Sequence, residues 1–80
     1  MPKLRELSGK EILSFFESQG FSIFGQNGSH IKLRRIISGN KQTLIIPNYK
    51  TVRRGTNREI FSQAINYISD EILRAFFYTK

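Results

Sequence analysis

A tight-turn signal in the first half of the sequence constrains the fold of this chain most. Asn27-Gly28 is flanked by segments rich in β-branched and aromatic residues, and Asn-Gly is the strongest short-range signal for a β-hairpin. We therefore predict strands over about 21–26 and 29–37. Ser38-Gly39-Asn40 predicts a second turn, which leads into a third strand over about 41–46. Two turns this close together favour a three-stranded antiparallel sheet.

Capping motifs predict a helix on each side of this sheet. Ser8-Gly9-Lys10-Glu11 has the form of a capping box, so the first helix is expected over about 9–19. Thr56-Asn57-Arg58-Glu59 has the same form and predicts the start of a second helix. That helix either continues to Phe76 or breaks near Ser69-Asp70. The predicted class is α+β: a helix, three antiparallel strands and a helix, with both helices on one sheet face.

The length and composition of the chain bound the remaining possibilities. Its 80 residues are expected to form a single domain, with residues 69–80 as a C-terminal extension that either packs back on the domain or contacts a partner. There is no cysteine, and no apolar run approaches the roughly 18 residues that span a membrane. We therefore expect a cytoplasmic protein, and the sequence predicts no particular oligomeric state.

Basic residues are concentrated in the middle of the chain. Thirteen Lys and Arg against six Asp and Glu give a formal net charge of +7, yet no acidic residue lies between Ser18 and Arg58. A patch of this kind attracts a polyanion and gains affinity by releasing counterions. A basic surface that serves only solubility is the alternative, and the uneven distribution of charge disfavours it.

His30 is the single histidine, and it falls within this basic segment. In the predicted strand, Ile31 and Leu33 share one face, while His30, Lys32 and Arg34 share the other. An imidazole among phosphate-binding charges can take a proton from a ribose 2′-hydroxyl or give one to a leaving 5′-oxygen. The pattern therefore predicts a cationic sheet face that binds RNA and cleaves it at His30, with a merely structural histidine as the alternative.

A single histidine requires a second proton-transfer group or water. Lys10, Lys32, Tyr49 and Lys50 are the candidates, and their spacing does not choose among them. Arg34, Arg53 and Arg54 are further cations expected to bind RNA or stabilise the charge of the transition state. No metal site is expected, because the basic segment contains no carboxylate.

Four short motifs occur in the order and spacing of a known family. They are Leu7-Ser8-Gly9-Lys10-Glu11 followed by Gly20-Phe21, then Gly28-Ser29-His30, Ile46-Pro47-Asn48, and Arg54-Gly55-Thr56 with Ile60. Over about residues 5–68 the chain resembles the HicA family of bacterial and archaeal toxins. No one motif is decisive, but the set of four is specific.

The resemblance implies a fold similar to the double-stranded-RNA-binding domain and a ribonuclease toxin that cuts messenger RNA. It also implies inhibition by a HicB-type antitoxin. We expect no cofactor. By the Gly-Ser-His motif, His30 is the expected catalytic residue, and Gly28 and Ser29 form the turn that places it. Many relatives have a second histidine where this chain has Tyr49. If that histidine assists proton transfer, Tyr49 or water would take over the proton transfer here.

Two alternative functions stay open at this point. A non-catalytic nucleic-acid-binding module of similar fold would use the same cations and need no imidazole. A pure protein-interaction domain would dock its basic face on an acidic partner. Cleavage of RNA separates the enzyme from both alternatives.

Overall fold

Six elements follow one another in the computed structural model, which describes residues 3–78. They are α1 (Gly9–Ser18), β1 (Ser22–Asn27), β2 (His30–Ile37), β3 (Asn40–Pro47), α2 (Arg54–Ala64) and α3 (Asp70–Phe77). The strands form one antiparallel sheet in the order β1-β2-β3, with β2 in the centre. The predicted α+β class, with a helix before and after a three-stranded antiparallel sheet, is confirmed.

The first hairpin turn lies one residue later than predicted. Asn27 still pairs with His30, so the two turn residues are Gly28 and Ser29 instead of Asn27 and Gly28. Gly28 has a φ of 61°, whereas Ser29 does not have a positive φ. This is the type II′ pattern, which needs a left-handed residue only at the first turn position. Asn27 therefore stays in the ladder.

The second hairpin turn uses Ser38 and Gly39, with φ angles of 51° and 79°. Two successive positive φ angles match a type I′ turn, the form whose twist suits the flanking strands. Ile37 pairs with Asn40 directly across this turn. The turn predicted at this position is confirmed, and it fixes the register of β2 against β3.

The sheet buries one face and exposes the other. Ile31 and Leu33 of β2 pair with Ile46 and Leu44 of β3, and all four side chains are buried. Both helices of the predicted fold contribute to this core: Ile12 and Phe16 from α1, and Ile60 and Ala64 from α2. The alternation along β2 leaves His30, Lys32 and Arg34 on the opposite, outward phase.

Only one of the two predicted capping boxes is present. The Ser8 hydroxyl accepts a hydrogen bond from the Glu11 amide, while the Glu11 carboxylate accepts from the Ser8 amide and hydroxyl. These bonds to Ser8, with the nearby Arg5 charge, lower the pKa of Glu11. The first helix therefore begins where the sequence predicts.

The prediction of a second capping box at Thr56-Asn57-Arg58-Glu59 is wrong. Helix α2 begins at Arg54, two residues before Thr56, and its N-cap residue Arg53 makes no side-chain capping bond. Asn57 is fully buried, and its Nδ2 donates to the carbonyl oxygens of Arg5 at 2.7 Å and Val52 at 3.2 Å. These long-range bonds hold the start of the helix, so Thr56 and Glu59 lie inside α2 and are free for other contacts.

The second predicted helix breaks after Ala64, which decides between the two alternatives left by the sequence. Ser69 caps α3 by accepting from the Ile72 amide. Leu73 and Phe77 are fully buried, and Phe76 stacks on Phe15 of α1 with ring centroids 4.1 Å apart. The described part of the C-terminal extension therefore packs back on the rest of the chain.

A close contact of Gly9 joins α1 to the segment after β3. A Cβ atom at Gly9 would lie 2.7 Å from Asn48 Cα and 2.9 Å from the Pro47 carbonyl oxygen, both backbone atoms. The Gly9 amide donates to the Tyr49 carbonyl oxygen at 2.8 Å. Only glycine allows this approach, which brings Lys10 beside Tyr49.

We predict that Gly9→Ala lowers the free energy of unfolding by about 1–3 kcal/mol, because the added methyl group has no room against backbone atoms. Gly55→Ala is the matched control. Nothing lies within 4 Å of a Cβ at Gly55, so alanine should stabilise α2 by up to about 1 kcal/mol. Urea unfolding measures both variants. Equal effects would contradict the close contact.

We predict that Phe77→Ala lowers the free energy of unfolding by about 3–5 kcal/mol, because it empties a fully buried site. Ile72→Ala, on an exposed position of the same helix, should change it by less than about 1 kcal/mol. Thermal and urea unfolding measure this difference. If both variants lost similar stability, α3 would not be packed as described.

Candidate active site

A cleft opens where the outward face of the sheet meets α2. Its volume is about 280 Å³. The lining residues come from the start of β2, the end of β3, the segment after β3 and one face of α2: His30, Ile45, Pro47, Tyr49, Thr56, Glu59, Ile60 and Gln63. We refer to it as the His30 cleft. The single histidine of the chain therefore lies in a concave site.

The turn before β2 and the segment after β3 together hold His30 in place. His30 is the first residue of β2 and pairs with Asn27 on one side and Pro47 on the other. The Ser29 carbonyl oxygen accepts from the Asn48 amide at 2.7 Å. The backbone on both sides of His30 is therefore fixed, while its side chain is exposed and makes no hydrogen bond within residues 3–78.

Helix α2 forms the other wall of the cleft because it lies beside the free edge of β3. The Ile45 amide donates to Gln63 Oε1 at 3.3 Å, which ties the helix to this edge. Thr56, Glu59 and Gln63 follow at helical spacing and so share one face of α2. The Glu59 carboxylate makes no hydrogen bond or ion pair with any described residue.

Tyr49 also lines a second cleft, which lies next to the first. This cleft has a volume of about 310 Å³ and is lined by Ser8, Lys10, Asn48, Tyr49 and Lys50. We refer to it as the Lys10 cleft. The contact of Gly9 with Asn48 brings the start of α1 to this place. Two of the predicted cations, Lys10 and Lys50, therefore lie together and border the histidine site through Tyr49.

The other predicted cations line neither cleft. Lys32 pairs with Ile45, a cleft residue, and lies two residues along β2 from His30. Arg34 lies two residues further, with its guanidinium over the ring of Phe24. Arg53 precedes α2 and is exposed, whereas Arg54 Nε donates to the Leu4 carbonyl oxygen at 3.1 Å. Arg54 therefore has a structural contact of its own.

One cation of the basic segment belongs to the fold instead of the charged surface. Arg35 donates to Gln42 Oε1 and to the carbonyl oxygens of Gln19 and Tyr67, and its guanidinium lies over the Phe21 ring. These four contacts connect the sheet to the ends of α1 and α2. The charge available to a ligand is therefore smaller than the sequence count suggests.

Glu59 is the ionisable cleft residue that the sequence interpretation does not include in the site. The sequence places it in a predicted capping box, just beyond the basic segment that contains no acidic residue. The fold brings Glu59 from α2 into the same cleft. Its spacing from Thr56 was visible in the sequence, but the position of α2 beside the edge of β3 was not. No three His, Cys, Asp or Glu residues among positions 3–78 are grouped so that they could hold a metal ion.

Within residues 3–78, no helix is long and apolar enough to cross a membrane.

Comparison with known proteins gives one match. A family model described as the HicA toxin of bacterial toxin–antitoxin systems matches residues 9–65, which is more than half of the chain. The match includes α1, all three strands and α2, and with them every residue that lines the His30 cleft. Searches of curated proteins and of solved structures find no match. The chain therefore belongs to the HicA family of toxins.

Proposed function

We propose that this toxin is a ribonuclease that cleaves messenger RNA in the His30 cleft, without a metal ion. The observation that carries the proposal is that His30 and Glu59 line one cleft and that neither side chain has a partner among the described residues. An imidazole and a carboxylate on facing walls supply the two proton-transfer groups that RNA cleavage requires. The Lys10 cleft alongside supplies positive charge.

The proposed reaction is an internal transfer at one phosphate of the RNA. The ribose 2′-oxygen forms a bond to phosphorus, and the bond from phosphorus to the 5′-oxygen of the next nucleotide breaks. An ionised carboxylate only accepts protons, so Glu59 takes the proton of the 2′-hydroxyl. The His30 imidazolium gives its proton to the leaving 5′-oxygen. The products are a 2′,3′-cyclic phosphate and a free 5′-hydroxyl.

Positive charge in the Lys10 cleft has two roles in this scheme. Lys10 and Lys50 hold a phosphate next to the scissile one, and they offset the extra negative charge that develops in the transition state. Tyr49 lies between the two clefts and is the auxiliary residue, a hydrogen-bond donor to the reacting phosphate. Gly28 and Ser29 serve by placing His30.

The remaining cations extend the RNA-binding surface on both sides of the clefts. Lys32 and Arg34 continue along the outward face of β2, while Arg53 and Arg54 stand at the start of α2. These residues attract the RNA backbone through charge and do not carry out chemistry. Because Arg54 also bonds to Leu4, its replacement should cost some stability as well as affinity.

The partner in this proposal is a HicB-type antitoxin that blocks the site. The membership in a toxin–antitoxin family supports an antitoxin partner. A partner with acidic side chains would complement the cations around the His30 cleft and exclude RNA from it. Because the proposed substrate is messenger RNA, we place the protein in the cytoplasm.

We predict that His30→Ala lowers the rate of RNA cleavage in chelator-containing buffer by roughly 10²–10⁴-fold. RNA binding should persist, because the cations stay in place. Since His30 is exposed, the substitution should leave the unfolding free energy within about 0.5 kcal/mol of the parent value. Gel analysis of a messenger RNA, together with a binding titration, measures both effects. A parent protein that binds RNA but never cuts it would support the non-catalytic module instead.

A separate prediction concerns the Glu59 carboxylate. Glu59→Gln should lower the single-turnover cleavage rate by at least about 10²-fold, because one proton-transfer group is lost. RNA affinity should stay equal or increase, since a negative charge leaves the cleft. Glu71→Gln on α3 is the matched control, with the same change of charge at an exposed position outside the cleft. Equal rates for the two variants would exclude Glu59 from the chemistry.

A further inference from the structure

The outward sheet face carries an exposed aromatic residue beside a cation, away from both clefts. The Arg34 guanidinium carbon lies 4.0 Å from the centroid of the Phe24 ring. Phe24 is 43% exposed although it lies in a strand. An exposed aromatic residue paired with an arginine is a typical contact surface for an unpaired base.

A β-bulge places Phe24 on this face. Ile23 pairs with Leu33 and Gly25 pairs with Lys32, so Phe24 is an extra residue between two successive pairs. Such bulges redirect a side chain, and here the ring points to the face that carries Arg34. The core does not require this arrangement, because Phe24 is not among its buried residues.

Arg34 is held on the ring without an acidic partner. It makes no ion pair within the described chain, and its buried Nε has no hydrogen-bond partner there. No acidic residue occurs between Ser18 and Arg58, so none of the strands adds negative charge to this face. The Arg34 guanidinium covers one face of the Phe24 ring, so the pair offers the exposed part of the ring together with an uncompensated cation, and these complement a base and its phosphate.

The position of the pair relative to His30 suits a continuous single strand of RNA. Arg34 lies four residues along β2 from His30, which corresponds to about 13 Å. Lys32 lies between them on the same face, paired with Ile45 at the rim of the His30 cleft. A strand that leaves the cleft along β2 would pass a cation and then reach the aromatic ring.

We propose that Phe24 and Arg34 form a stacking platform for an unpaired base of the RNA, and that the substrate is therefore single-stranded at this point. The inference rests on the proposed cleavage at His30 and adds the class of substrate and the residues that hold it. A duplex does not satisfy the platform, because its bases are already stacked on one another. Stacking of one base on an aromatic side chain contributes about 1–3 kcal/mol.

The chain contains no tryptophan, so Phe24→Trp in a His30→Ala background introduces a single reporter at the platform. The background variant keeps the RNA intact during the titration. Binding of a short mixed-sequence single-stranded RNA should quench the indole fluorescence, whereas the matching RNA duplex should quench it much less. Absence of quenching while the RNA is demonstrably bound would overturn the platform.

Phe24→Ala in the same background tests affinity. The single-stranded RNA should bind about 5- to 150-fold more weakly, which is the stacking contribution expressed as a ratio. An abasic ribose-phosphate oligomer should bind the two proteins equally.

Ile36→Ala is the matched control, since Ile36 is 60% exposed and lies on the same face of β2 as Arg34. It should change RNA affinity less than about twofold. Urea unfolding checks that each variant is folded.

The outcomes separate this inference from the proposed function. If Phe24→Ala, with His30 intact, cleaves and binds single-stranded RNA as well as the parent protein, the platform is wrong and the ribonuclease proposal stands. If Phe24→Ala leaves RNA binding unchanged but abolishes binding of an acidic antitoxin, the face is a protein-docking surface, and the platform is again wrong. If the parent protein neither binds nor cleaves RNA, both proposals fail together.

Discussion

The pairing of β2 with β3 determines which side chains meet the helices and which meet solvent. Ile31 and Leu33 pair with Ile46 and Leu44 to form the buried face, and a shift of β3 by one residue would turn Ile46 and Leu44 outward. The same register places His30 beside Pro47 at the rim of the sheet. The core and the candidate site therefore depend on one arrangement, and the left-handed residues Ser38 and Gly39 help to fix it.

Much of the fold could be predicted because local signals and the global fold agree. The first capping box, the two turns and the alternation along β2 each specify structure within a few residues, and each is present with at most a small shift. The start of α2 could not be predicted in this way. It depends on the buried Asn57 and its bonds to Arg5 and Val52, which involve a residue 52 positions away in sequence.

The candidate site was only partly predictable, for a related reason. The phase of β2 shows that His30 points away from the core, and the charge distribution indicates a polyanion as ligand. The grouping of Tyr49 with Lys10, and of Glu59 with His30, depends on how α1 and α2 lie against the ends of the sheet. Charge counting also overestimates the ligand-binding surface, since Arg35 bonds to Gln42 and to two backbone carbonyl oxygens inside the fold.

The central claim is that RNA occupies the His30 cleft and the outward face of β2. Backbone amide NMR of the His30→Ala variant, titrated with a short single-stranded RNA, tests it most directly. If RNA binds there, the largest shifts should cluster at Gly28–Arg34, Tyr49–Lys50 and Thr56–Gln63, which border the cleft and the sheet face. Shifts confined to α3 and the outer side of α1, with the cleft unchanged, would contradict it.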